Sequence, residues 1–139
     1  MLRMKWVPLY FLTALVTGLH NLYGLMAMVN GAPLNLLNAV SLLGSGALMV
    51  AAVLLLFQLR TASKVGALGS VLCWVYYAPL IVVTLIAPFS TWREIRFDFS
   101  FHDYVPLVGR LLGPVLLALC TANSIVLLKR DRGVSPSLP

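Results

Sequence analysis

Acidic side chains are scarce in this chain. Only four Asp and Glu stand among its 139 residues, and a tenth of the sequence is charged at all, against roughly a quarter in ordinary soluble domains. Cysteine is nearly absent too, with Cys73 and Cys120 the whole complement. Two cysteines with no C-x-x-C spacing signal neither a zinc site nor a redox pair, and they cannot staple a disulfide scaffold. Both lie in apolar stretches and read as small buried hydrophobes. No collagen-like repeat is present, and the chain is far too apolar for a disordered tail.

What fills the sequence is hydrocarbon. Sixty per cent of residues are apolar and the mean hydropathy is +0.95. Fourteen charged side chains could not keep a soluble domain of this composition in water. The chain therefore reads as an integral membrane protein. Its formal charge of +6 would point a soluble protein toward nucleic acid. Here it reads as the positive-inside bias of membrane chains, and nucleic acid is not an expected partner.

Crossing the hydrocarbon core takes about 20 apolar residues in a helix. Four stretches qualify, at about residues 6–28, 34–58, 65–87 and 105–128. None holds a Lys, Asp or Glu, and only the fourth holds an Arg, Arg110. The expectation is an all-α, integral membrane four-helix bundle, one transmembrane domain over residues 1–139. Seven of the ten basic residues (Arg3, Lys5, Arg60, Lys64, Lys129, Arg130 and Arg132) flank the spans on one side, together with both termini. The positive-inside rule then places both termini in the cytoplasm, residues 88–104 in an outer loop and residues 129–139 in a cytoplasmic tail, in a plasma or inner membrane. The competing reading, a cleaved signal over the first span, lacks a small-x-small cleavage site.

Helices in lipid associate where small residues let backbones approach, and each span carries such a stripe. In the first it is Thr13, Thr17, His20 and Gly24. In the second, Ser41 pairs with Ser45 and Ala47 with Ala51. In the third, Gly66, Ser70, Cys73, Tyr77 and Thr84 share a face. In the fourth, Gly109 and Gly113 form a G-x-x-x-G, continued by Thr121 and Ser124. The stripes predict helix–helix contact, within one chain or between chains. Pro79 and Pro114 fall mid-span and predict kinks. Trp6, Tyr10, Phe57, Phe89, Trp92 and Tyr104 lie near span ends and read as interfacial belts.

Polar groups inside a membrane are the first functional suspects. By helical rise, His20 lies roughly 12 Å below the outer interface, Asn38 about 6 Å and Arg110 about 7–8 Å, with Asn21 and Tyr23 beside His20. The polar groups thus collect in the outer half, which suggests an outward-facing ligand pocket of His20, Asn21, Asn38, Arg110 and Asp103. Ile95, Phe97, Phe99 and Phe101 alternate with polar residues, a period-two pattern of an extended segment lying over the helices as a lid or anchor. Arg110 requires a partner, and Asp103 or Asp98 would make a structural staple. Recognition of an anionic headgroup or carboxylate, and snorkelling to the interface, are the other uses of that charge.

No cofactor or metal is expected. His20 and His102 lie at different depths, unlike the facing imidazoles of a bis-histidine haem. No catalytic motif is present. Spans without Asp or Glu argue against proton or cation coupling. The chain reads as a non-enzymatic accessory or oligomer-forming subunit that binds lipid in its outer half, with the bilayer, further copies or a larger membrane complex as partners. A small transporter or channel with a polar vestibule is one alternative. A membrane enzyme or electron-transfer subunit acting on lipid or quinone is the other.

Overall fold

Backbone polar groups in lipid must pair within their own segment, which here leaves the helix as the solution. The computed structural model describes residues 3–31, 35–86 and 101–133, with side chains in the last stretch from Leu107 onward. A 3-10 turn, Met4–Trp6, leads into α1 (Val7–Val29), followed by α2 (Leu36–Leu56), α3 (Thr61–Ile86) and α4 (Phe101–Gly133). The shortest has 21 residues, about 32 Å of helix, enough for a hydrocarbon core of about 30 Å. All four are long and apolar enough to cross a membrane. The described residues are all-helical apart from short turns, and their four apolar helices suggest an integral membrane protein.

The helix ends follow from local chemistry. Pro8 sits in the first turn of α1, where its missing N–H removes no helical bond. Asn30-Gly31 closes that helix, with Gly31 at φ +97°. Asn35 caps α2 by accepting the Leu37 N–H at 3.0 Å. At the other end of α2, Gln58 N–H reaches Leu55 C=O and Leu59 N–H reaches Leu54 C=O, both at 3.0 Å. This is a Schellman closure. Gln58 takes the left-handed position at φ 57°, a place that usually falls to glycine.

Each helix packs on its sequence neighbours, and α4 packs back on α1, closing a ring. The pairings run antiparallel. Thr17 meets Ser45 and Asn21 meets Ser41, four residues forward on α1 and four back on α2. Both described termini therefore lie at one end of the bundle with the 57–60 turn, and the 30–35 turn lies at the opposite end.

The cross-section is inside out relative to a soluble bundle. Phe11, Leu15, Leu19, Leu43, Val71 and Val126 face outward, while Thr13, Thr17, Ser41, Ser45, Ser70 and Ser124 are buried. Lipid is as apolar as leucine, so burying leucine gains little and small polar residues take the contacts. Their hydroxyls stay satisfied by donating to the carbonyl one turn back, at 2.7–3.0 Å, as Thr13, Thr17, Ser45, Ser70 and Thr121 all do. The closest approach joins α2 and α3. A Cβ on Gly44 would stand 2.8 Å from the Gly69 carbonyl oxygen, and a Cβ on Gly69 would stand 2.9 Å from the Gly44 oxygen.

Several sequence expectations change. Tyr10 is fully buried, not an interfacial belt residue: its hydroxyl lies 2.5 Å from Ser124 Oγ and accepts from Asn123 Nδ2 at 3.3 Å. Polar groups consequently line both halves of the bundle rather than the outer half alone. Phe101 and His102, expected in an extended segment, begin α4, so the fourth helix starts four residues before the expected span. The rest of the alternating segment, with Asp98, Phe89 and Trp92, lies outside the described residues. The expected tail from Lys129 is helical as far as Gly133. Asp131 in that last stretch pairs with Arg3 and accepts from Ser63 Oγ at 2.7 Å. This clasp ties the start of the chain, the start of α3 and the end of α4 together.

Candidate functional site

The half of the bundle away from the termini buries His20, Asn21, Asn38 and Tyr77. Thr13, Thr17, His20, Asn21 and Gly24 line one inward strip of α1 because three- and four-residue steps return to one helical face. His20 is buried between α3 and α4. Its Nε2 lies 3.1 Å from Tyr76 Oη, and its ring packs on Tyr76 and Tyr77 at centroid distances of 5.6 and 5.7 Å. The two tyrosines meet edge to face at 5.1 Å.

Glycines on neighbouring helices make room for these side chains. A Cβ on Gly109 would come within 1.8 Å of His20 Nδ1. One on Gly113 would come within 3.0 Å of Tyr77 Oη, and one on Gly24 within 2.7 Å of Asn38 Nδ2. The Gly109–Gly113 motif thus serves as two seats inside this chain, one for an imidazole and one for a phenol.

Polar satisfaction is uneven. Asn21 donates through Nδ2 to Thr17 C=O at 2.6 Å and to Ser41 Oγ at 2.8 Å. Among the described residues, however, four buried side-chain atoms have no hydrogen-bond partner: His20 Nδ1, Asn21 Oδ1, Asn38 Oδ1 and Tyr77 Oη. All four lie in this half. Each such atom costs about 1–3 kcal/mol, so together they withhold several kcal/mol from the closed bundle. The other half shows the contrary pattern, with Tyr10, Asn123, Ser124, Thr13 and Cys120 bonded to one another across α1 and α4.

Of the five expected site residues, His20, Asn21 and Asn38 are buried in the same half. Arg110 follows Gly109 directly on α4 and is exposed, within coulombic reach of His20 and Tyr76. Asp103 stands seven residues earlier in the same helix; its side chain, and with it the expected Arg110 staple, lies outside the described residues. Tyr76 was not anticipated. Its signal was available, since it adjoins Tyr77 in the polar stripe of α3. Asn123 was also missed, although it adjoins Ser124.

Chemically, His20, Tyr76, Tyr77, Asn21, Asn38 and Arg110 bring an imidazole, two phenols, two carboxamides and a guanidinium to this half. Such groups hydrogen-bond phosphate, carboxylate or carbonyl oxygens. Among the described residues, no three His, Cys, Asp or Glu side chains come together. Comparison with protein-family models, curated proteins and solved structures found no match to this chain.

Proposed function

We propose that the protein is a non-enzymatic membrane accessory subunit that binds an anionic lipid headgroup in the half of the bundle away from its termini. The observation that carries this reading is that four buried polar atoms in this half have no partner among the described residues, two of them, on His20 and Tyr77, lying against the α4 turns that carry exposed Arg110. Burying such atoms in a membrane bundle is costly, and oxygen acceptors and donors on a headgroup would supply what they lack. Arg110 meets the charge, Tyr76 and His20 complete the polar edge, and the lipid tails lie along the apolar outer face of α3 and α4. The seven-to-three distribution of basic residues supports an orientation with both termini cytoplasmic, in a plasma or inner membrane, so the site faces the outer leaflet. The protein acts in association with further copies or a larger membrane complex.

Mass spectrometry of the protein purified in mild detergent tests the binding claim. The expected result is an enriched phosphate- or carboxylate-bearing lipid that Arg110→Leu removes and Arg110→Lys retains only weakly, since lysine lacks the bidentate fork. An unchanged lipid profile in Arg110→Leu contradicts it. For orientation, a cysteine at exposed Asn30 should react with an impermeant maleimide on intact cells, and one at exposed Gln58 should not. The reverse labelling overturns the orientation.

A further inference from the structure

Helix α4 is held to the bundle very differently along its length. Among the described residues, every side-chain hydrogen bond from α4 to another element lies between Cys120 and Asp131. Ser124 and Asn123 bond Tyr10, Thr121 accepts from Trp74 Nε1 at 2.9 Å, and Asp131 is clasped by Arg3 and Ser63. Between Leu107 and Gly113, α4 instead sets Gly109 against His20 and Gly113 against Tyr77.

Pro114 separates the two stretches. Proline has no N–H, so the carbonyl of Arg110 one turn earlier loses its helical partner, and the ring crowds that turn. Bending in a helix concentrates at such points. Gly113 directly before it adds no side chain to resist the bend. The two unpartnered atoms that α4 covers, His20 Nδ1 and Tyr77 Oη, lie under the stretch beyond the proline. The closed position therefore leaves His20 Nδ1 and Tyr77 Oη unpaired among the described residues and adjoins a hinge.

We infer that α4 is a lateral gate: its Leu107–Gly113 stretch swings about Gly113–Pro114 to uncover His20 and Tyr77, while the 120–131 stretch stays fixed. The inference rests on the headgroup reading for what enters, and on the helix contacts alone for the motion. Opening exposes the imidazole and phenol to the membrane side, while Arg110, exposed on α4 beside Gly109, keeps its charge at the edge of the opening. A headgroup then bonds groups that glycine cannot partner, and binding favours the open state by its differential contacts with that state.

Carbethoxylation of His20 by diethyl pyrocarbonate, quantified by peptide mass spectrometry in lipid-free detergent, reads the gate without any ligand. A static bundle hides His20. The gate predicts a measurable rate in the parent protein and a rate about tenfold slower in Pro114→Ala, because a restored hydrogen bond must break for each opening. An unreactive His20 in the parent, or equal rates in the two proteins, overturns the gate. If Pro114→Ala does not fold, nitroxide pairs on the unaltered hinge decide. The Val108–Leu43 pair should give a broad distance distribution and the Val126–Val53 pair a narrow one; equal widths overturn the gate. All four positions are exposed and the native cysteines are buried. Adding phosphatidylglycerol to the parent separates the two readings. Slowed carbethoxylation supports the gate and the headgroup together, whereas an unslowed but hinge-dependent rate supports the gate and removes the headgroup.

Discussion

Replacing Gly44 with alanine should pry apart the tightest seam in the bundle. The new methyl would stand 2.8 Å from the Cys73 backbone nitrogen and from the Gly69 oxygen, and 2.9 Å from Cys73 Sγ. Ordinary contact begins near 3.4 Å, so α2 and α3 must separate by more than half an ångström. Backbone atoms cannot rotate aside as a side chain can. A gap of about 0.5–1 Å forfeits a quarter to a half of each affected dispersion contact, and overpacking of this kind costs about 1–3 kcal/mol. Alanine returns about 1 kcal/mol through its better helix propensity, leaving a net loss of about 0–2 kcal/mol. Gly46 is the control, because a Cβ there meets nothing within 4 Å. Gly46→Ala should be neutral or slightly stabilising. Reversible unfolding by sodium dodecyl sulfate in mixed micelles, followed by tryptophan fluorescence, gives both values. Gly69→Ala should resemble Gly44→Ala, and the double variant should lose less than the two losses combined, since one separation accommodates both methyls. A Gly44→Ala protein as stable as Gly46→Ala would refute this crossing.

Three further outcomes follow from single contacts and can be read in the same unfolding assay. Tyr10→Phe should cost about 1–2 kcal/mol by stranding Ser124 and Asn123 in the core; no loss would mean that the hydroxyl is not their partner. Asp131→Asn should destabilise by about 1 kcal/mol, because Arg3 and Ser63 lose a charged acceptor in a mostly buried clasp, and Arg3→Leu should show coupling to it in a double-mutant cycle. Gln58→Gly should stabilise by about 0.5–1 kcal/mol, since glycine adopts the left-handed position without steric cost; destabilisation would argue against that backbone geometry.

The helices were legible because hydropathy over about 20 residues is a strong signal, and the inward faces because three- and four-residue spacing fixes them. The stripes Thr13–Thr17–His20–Gly24 and Gly66–Ser70–Cys73–Tyr77 all turn inward. What the sequence left hidden depends on pairing across the bundle. Gly44 and Gly69 carry ordinary spacing in their own helices and become a crossing only when α2 and α3 meet. Tyr10 sits near a helix end, where tyrosine usually serves the interface, yet Gly66 leaves space for its ring and Ser124 supplies a partner. The G-x-x-x-G of α4 was readable as a place of close contact, but not that an imidazole and a phenol would occupy it. Asp131 carried no local signal, since its partners lie 128 and 68 residues away.

The most direct measurement of the headgroup claim is cross-linking with a phosphatidylglycerol analogue that carries a diazirine beside its phosphate, in nanodiscs, with adducts located by peptide mass spectrometry. Headgroup binding predicts adducts concentrated at Tyr76, Arg110 and the neighbouring turns of α3 and α4, and reduced in Arg110→Leu. Adducts spread evenly along the lipid-facing surface, or gathered at the basic end beside the termini and unaffected by Arg110→Leu, would contradict it.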